Sequence, residues 1–307
     1  MDTPQKQKRP FFSIPWKSQK TVWAYVFISL PFLYFILVNF ISMIAAFSYS
    51  FQDYNTLSSE RHFIGFDNYL AIFAQKDFWQ TLKNTLYFAL LRVPLVIVFS
   101  LITALLLTSI KRFKAFFRTL FFVPFVTSSV AISWVFRYMY LPNFGLFTVV
   151  FDFFHIARIN FLGDPKYAIY AILAVAVWAS IGFYAIIFMA GLEDIPQDYY
   201  EAAMIDGASS WQRFRFITIP LLNRTLVLTT VLCLISSLQT FTYVRMMSKD
   251  GFGGPLGTTR TIPLLIYREA FSSMSMGRAA AISVIFFLII LILSVIQRRV
   301  LTKEVDL

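Results

Sequence analysis

The chain has 307 residues, of which 58% are hydrophobic and 14% charged, with 36 phenylalanines and a net charge of +11. Soluble domains hold roughly 45–50% apolar residues even with glycine counted and about 25% charged ones, so this chain lacks the polar exterior of a soluble fold. Disorder is excluded by the same apolar excess, and the lone Cys233 and absence of a Cys/His cluster exclude an internal disulfide framework and mark no metal site.

The composition is that of a membrane protein. A bilayer core about 30 Å thick takes roughly 17–25 apolar residues as a helix, whereas a spanning strand needs only about 9–11. Six runs of 18 residues or more lack Asp, Glu, Lys and Arg: 21–52, 93–110, 119–136, 167–192, 225–244 and 279–297. The first is too long and too poorly flanked for a cleaved signal peptide and reads as a retained helix. The second is expected to begin near Asn84, with Arg92 inside it or at its edge, and the third to extend past Arg137 to Tyr140. Between the first two, residues 64–82 mix Phe66, Tyr69, Leu70, Phe73, Phe78 and Trp79 with Asp67, Lys76 and Asp77. This pattern fits an interfacial helix on the outer leaflet or a packed external loop. Pro31, Pro94 and Pro124 are expected to kink their helices. The fold class is therefore all-α, with six transmembrane helices over 21–297 between a tail at 1–20 and another at 298–307.

Basic residues set the orientation. With the N-terminus cytoplasmic, the inside segments 1–20, 111–118, 193–224 and 298–307 hold 15 Lys and Arg in 70 residues. The outside segments 53–84, 137–166 and 245–278 hold 11 in 96 residues. The roughly twofold excess inside places both termini in the cytoplasm.

The inside loop 193–224 has the clearest local grammar. Pro196 suits the first turn of a helix, Asp198 and Glu201 its positive end, and Ala202, Ala203 and Met204 its propagation. Gly207 suits the helix end, and Ser209 with Gln212 forms a capping box for a second short helix. Pro220 ends that helix and leads into the fifth span. The product is a helix–turn–helix with small alanines on its first helix, either docked in another protein's groove or an ordinary structured loop.

The stretch from Glu201 to Leu222, with Glu201-Ala202-Ala203, Asp206-Gly207-Ala208, Phe214 and Ile219-Pro220-Leu221, closely resembles the EAA loop of ABC-importer permeases. Further stretches resemble the carbohydrate-uptake branch, the maltose and glycerol-3-phosphate permease type with a GGP loop. They are Phe63 to Tyr69, Arg118 to Pro124, Gly191-Leu192 with Ile195-Pro196, Gly253-Gly254-Pro255 with Thr258, and Ala270-Phe271 with Met276-Gly277. The resemblance runs from about Tyr25 to Leu301. It implies a non-catalytic permease subunit forming half of a translocation pathway in a bacterial or archaeal cytoplasmic (inner) membrane. The implied partners are a homologous second permease, two ATPase subunits and an extracytoplasmic solute-binding protein, with a carbohydrate as substrate and no nucleic acid. The ATPases would hold the ATP and Mg, leaving this chain without a cofactor. The coupling residues carried over are Glu201, Ala202, Ala203, Asp206, Gly207 and Ala208. Glu201 is expected to pair with the ATPase, the plainer alternative being helix-dipole stabilisation.

No energy source lies in the chain itself. A phosphate-cradling GxxxxGK[ST] loop is absent, and the six runs hold no Asp, Glu or His for an ion relay. For the substrate pathway, the fifth run offers Thr229, Cys233, Ser236 and Thr240 on one helix face, widened by Thr230, Ser237, Gln239 and Thr242. The fourth offers Trp178, Ser180, Phe183 and Tyr184. Maltose-type relatives line their groove near Ser180, Phe183, Tyr184, Ser237 and Thr240, with different residue types. The plainer reading is that small polar residues let helices pack closely. Arg92 and Arg137 are expected to snorkel to the outer interface, and external segments 53–83 and 245–278 are candidates for receiving the binding protein. A stand-alone secondary transporter or channel is the alternative function, and a membrane scaffold or receptor a third.

Overall fold

The computed structural model describes residues 16–57, 61–110 and 112–301. The expected tails thus fall partly outside the described residues, as does Lys111; residues 16–20 and 298–301 continue the first and last helices. Helices α1 (Trp16–Phe35) and α2 (Ile41–Tyr49) join through a π-helical turn at Ile36–Phe40 and form the first candidate span. Its apolar side chains are exposed on every side, as a hydrocarbon environment permits. Strands β1 (Gln52–Tyr54) and β2 (Arg61–Phe63) then pair antiparallel, with Asp53 opposite His62. The chain is accordingly mostly, and not wholly, helical.

Residues 64–82 resolve into two helices rather than one. Helix α3 (Asp67–Ala74) stops at Gln75, whose backbone is extended, and α4 (Lys76–Ser109) starts at once. The second span therefore begins eight residues before Asn84, and Pro94 lies within an unbroken helix. The motif around Asn68 acts as a staple: its Nδ2 donates to the Ser50 and Gln52 carbonyls at 3.0 and 2.9 Å, while the Tyr69 hydroxyl donates to Ser50 Oγ at 2.7 Å. Gly277 packs against that same Gln52 carbonyl, where a Cβ would overlap it. Two motifs more than 200 residues apart thus share one junction.

The third expected span is bent. Helix α5 (Lys114–Val126) and α6 (Ser129–Met139) meet at 90°. Thr127 turns to an extended backbone, and both its N–H and its hydroxyl donate to the Val123 carbonyl, at 3.1 and 2.8 Å. That side chain closes the helix end and makes the break tolerable. Helix α7 (Leu146–Phe153) precedes α8 (Ala168–Glu193), the central helix of the fold. Then come α9 (Gln197–Ile205), α10 (Ser210–Arg213), a π-helical turn (Phe214–Thr218) and α11 (Ile219–Leu221). The π turn lies where Pro220 lacks the N–H for the carbonyl four residues back. A 67° bend at Leu222 leads into α12 (Asn223–Leu238), so the break falls two residues after Pro220. The fifth run is interrupted again before α13 (Thr242–Met247). Helices α14 (Ile262–Phe271) and α15 (Met276–Leu301) complete the chain.

Four helices are long and apolar enough to cross a membrane, and each bent pair can supply one more, up to six. The core wraps around α8. Phe88 and Val96 of α4 pack on Ile172, Ala176 and Ala179 of α8 and on Cys233 of α12. Ala104 and Leu107 meet Ala185, Phe188 and Leu222 at the far end. Alanines and Gly182 make this closeness possible, since a Cβ on Gly182 would overlap the Phe121 carbonyl of α5. A second cluster joins Phe78, Leu238, Ile262, Ala281 and Phe286 around α15.

Candidate functional site

The loop after α8 folds as a helical hairpin. Pro196 lies just outside α9, as its N-cap, rather than in its first turn. At the other end Gly207 takes φ +79°, its N–H donates to the Met204 carbonyl at 3.1 Å, and the Ala208 N–H donates to Ala203 at 2.8 Å. These two bonds form a Schellman motif, which requires the left-handed backbone that glycine adopts freely. Ser209 and Gln212 complete the expected capping box. The Gln212 N–H donates to Ser209 Oγ at 3.3 Å, and the Ser209 N–H donates to Gln212 Oε1 at 2.7 Å. A hydrogen bond of 3.0 Å between the Tyr200 and Thr218 hydroxyls ties α9 to the π turn.

This hairpin leaves an apolar face uncovered. Ile205 is 87% exposed, Trp211 69% and Phe216 73%, with Met204 and Tyr199 about half exposed. Ala202, Asp206 and Gly207 are exposed beside them, and Ala203 and Ala208 are partly covered. Glu201 is exposed and makes no hydrogen bond or ion pair among the described residues. It lies in the middle of α9, so the dipole role belongs to Asp198 in the first turn.

The second polar site is buried where α4, α8 and α12 meet, and Arg92 is its centre. Contrary to the expected snorkelling, Arg92 is 6% exposed. Its Nη2 donates to Ser180 Oγ at 2.7 Å, and its Nη1 donates to Ser237 Oγ at 3.2 Å and Ser236 Oγ at 3.3 Å. Its Nε has no partner. Ser236 also shares a 3.1 Å hydrogen bond with the Tyr184 hydroxyl. A guanidinium in the middle of a bilayer costs about 2.5–3.5 kcal/mol on insertion scales, and here its partners are three neutral hydroxyls rather than a carboxylate.

Of the pathway residues read from the sequence, Ser180, Tyr184, Cys233 and Ser237 are brought together with Ser236 around Arg92. Cys233 Sγ lies 3.9 Å from Ser237 Oγ. Phe183 borders them, stacked on Phe125 at 4.4 Å between ring centres. Thr240 is buried one turn further on; its hydroxyl donates to the Ser236 carbonyl at 3.3 Å, and its own carbonyl accepts from Thr261 at 2.8 Å. Trp178 stands apart, about 200° around α8 from Ser180, half exposed and against Phe136 at 5.3 Å. Arg137 has partners of its own. It donates to the Met246 carbonyl at 3.1 Å and lies over the Trp134 ring, fastening α6 to α13. The missed residue is Arg92, and its signal was a lone arginine flanked by apolar sequence on both sides.

The loop between α13 and α14 is tightly built. Asp250 Oδ1 accepts the Phe252 and Gly254 N–H groups at 2.8 and 2.9 Å. Burial alone would raise its pKa, but these backbone donors and nearby Arg260 together hold the carboxyl below its ordinary value. Arg260 donates to the Phe252 carbonyl at 2.9 Å and pairs with Asp77, which also binds Arg268 at 2.7 Å. Asn84 Nδ2 donates to the Gly257 carbonyl at 2.8 Å, and Arg245 donates to Gly251 at 2.8 Å.

Four membrane-length helices, or up to six if each bent pair is one span, together with a helical hairpin and a structured loop, make the architecture of a multi-pass membrane protein. Residues 68–303 match the family of binding-protein-dependent transport system inner membrane components, and the chain belongs to it. It is a permease subunit of a binding-protein-dependent ABC importer, as the EAA resemblance implied. The chain is 36% identical over 238 residues to the lactose transport system permease protein LacF of Rhizobium radiobacter, covering 76% of this chain and 80% of that one. It is 31% identical over 272 residues to the trehalose/maltose transport system permease protein MalF of Thermococcus litoralis, covering 88% and 91%. The fold is shared, at 22% identity and a TM-score of 0.82, with a chain of a bacterial ABC transporter involved in the import of the acidic polysaccharide alginate, covering 95% of this chain and 99% of that one.

Proposed function

We propose that the chain forms half of the translocation pathway for a sugar or oligosaccharide and couples to separate ATPase subunits through the α9–α11 hairpin. In this reading it crosses a bacterial or archaeal inner membrane six times, counting each bent pair as one span, with both termini cytoplasmic. A homologous permease supplies the other half of the pathway, and two ATPases hold the ATP and Mg. A solute-binding protein delivers the sugar to outer segments 53–83 and 245–278. The sugar class is supported by the lactose and trehalose/maltose relatives.

The observation that carries the reading is the hairpin itself. Its turns at Gly207 and Ser209 are closed by its own bonds, yet Ile205, Trp211 and Phe216 remain exposed on a loop where water would meet them. Apolar side chains on a rigid helical hairpin match a groove in a partner. Helix α8 links this hairpin directly to Ser180 and Tyr184, so a push on α9 is transmitted to the buried polar cluster.

Reconstitution tests the proposal. Gly207→Pro cannot hold φ +79° and loses the N–H of the Schellman motif, and Glu201→Lys reverses the charge on α9. Both variants are expected to insert and assemble yet to abolish transport-coupled ATP hydrolysis. A substrate-stimulated ATPase rate equal to wild type in both variants would sink the coupling assignment.

A further inference from the structure

We infer that Arg92 is the anion-recognising residue of the translocation path, receiving an anionic oxygen group, a carboxylate or a phosphate, carried by the transported sugar. The inference rests on the importer reading above and names the substrate class for the same pathway.

Position is the first argument. Ser180, which Arg92 touches, is 12 residues from the start of α8 and 13 from its end, about 18 Å from either. Arg92 is the seventeenth of the 34 residues of α4. A side chain at that depth does not reach an interface.

Charge is the second. The six apolar runs hold no carboxylate, and Arg92 forms no ion pair among the described residues. Asp77, 15 residues and about 22 Å away along α4, is engaged by Arg260 and Arg268, and Glu269 by Arg268 and Arg278. A buried cation with no counter-ion among the described residues is a functional feature by default.

The third argument is the orientation of the serines. Ser180 donates to the Ala176 carbonyl at 2.6 Å, Ser237 to Cys233 at 2.6 Å and Ser236 to Cys233 at 3.0 Å. Each hydroxyl hydrogen is thereby spent on the helix backbone, and the oxygen lone pairs face Arg92. The cluster holds the guanidinium in one pose while leaving Nε without a partner. A planar guanidinium with a free N–H matches an anionic oxygen group and has no comparable preference for a neutral hydroxyl. Ser236 and Tyr243, beside Arg92, are partly exposed and mark the side from which an anion would reach the buried guanidinium.

The test uses the complete transporter in proteoliposomes with its own binding protein. Labelled trigalacturonate, glucose 6-phosphate and neutral maltotriose are the probes. Wild type is expected to import trigalacturonate or glucose 6-phosphate, and which one separates carboxylate from phosphate. Arg92→Gln is expected to lower that uptake about tenfold or more, the loss of a charge-assisted hydrogen bond. Arg92→Lys, which keeps the charge, is expected to restore much of it and to raise the half-saturating concentration more than it lowers the maximal rate. Import of maltotriose alone, or of neither anionic probe, overturns the inference. So does equal uptake of an anionic probe by Arg92→Gln and wild type. Failure of both variants to assemble with the second permease also overturns it, because Arg92 would then answer an acid of that partner. ATP-driven maltotriose import leaves the importer reading intact; ATP-independent uptake by the isolated chain overturns that reading instead.

Discussion

The α9–α11 hairpin and the loop at 248–261 flank the fifth candidate span and carry the chain's most distinctive motifs, yet they are built on different plans. The two turns of the hairpin are closed by bonds between residues three to five apart, the Schellman pair at Gly207 and the capping box at Ser209, and a single hydroxyl bond spanning 18 residues, Tyr200 to Thr218, ties α9 to the π turn. It leaves its largest apolar side chains bare. The loop at 248–261 has local bonds of its own around Asp250 and adds bonds that cross the sequence, with Asn84 reaching Gly257 and Asp77 reaching Arg260, 173 and 183 residues away. Its backbone groups are bonded to side chains of its own chain. A surface that is locally rigid but apolar and uncovered is suited to be completed by a partner. A surface already closed by long-range bonds is suited to keep its shape while partners come and go.

That contrast predicts where each substitution is felt. The largest effect in the isolated chain is expected from Asp77→Ala, which removes the shared partner of Arg260 and Arg268. Allowing for the partly exposed carboxylate, the cost is about 1–2 kcal/mol, read as faster amide exchange across 248–261. Unchanged exchange there would mean that the loop does not depend on its long-range bonds. Ser209→Ala ranks next, at about 1 kcal/mol from the lost cap, with faster exchange confined to α10. Spread of that change to the loop at 248–261 would contradict the local plan.

A pH effect comes third. The Asp250 carboxyl has a lowered pKa in the folded loop, so its stabilisation is complete above the ordinary Asp value of 3.8. It is lost only as pH falls through the folded value. Exchange protection of Phe252 and Gly254 is expected to be flat from pH 8 to 5, after correction for intrinsic rates, and to fall only in stronger acid; Asp250→Asn removes that fall. A transition near neutral pH would assign the effect to another group. The smallest effect is Trp211→Ser, within about 0.5 kcal/mol in the isolated chain because the ring is mostly exposed. The same substitution is expected to weaken association with the ATPase measurably, and equal affinity of variant and wild type would remove Trp211 from the interface.

What the sequence revealed follows the same division. The hairpin was legible because glycine turns, capping boxes and proline positions act within a few residues, and only the place of Pro196 and of the bend at Leu222 shifted. Long apolar helices were legible as runs of composition. Their breaks were not, since Thr127 ends α5 by bonding its own helix, and the polar residues before α13 differ little in type from those within α12. Arg92 was misread for a specific reason. Spans delimited by the absence of charge place any charged residue at an edge, and nothing local announces that Ser180 and Ser237, 88 and 145 residues away, will surround it. Residue types pointed to the polar cluster on α8 and α12, while the cation at its centre came from a third helix.

The central claim, that the bare face of the hairpin is the ATPase contact, is tested most directly by a thiol at Ile205. The native chain has one cysteine, Cys233, and it is buried, so Ile205→Cys introduces the single accessible thiol. In the assembled transporter that thiol is expected to cross-link to an ATPase subunit and to be shielded from a membrane-impermeant maleimide. In the isolated chain it is expected to react freely. Equal labelling rates with and without the ATPase, together with no cross-link, would contradict the account.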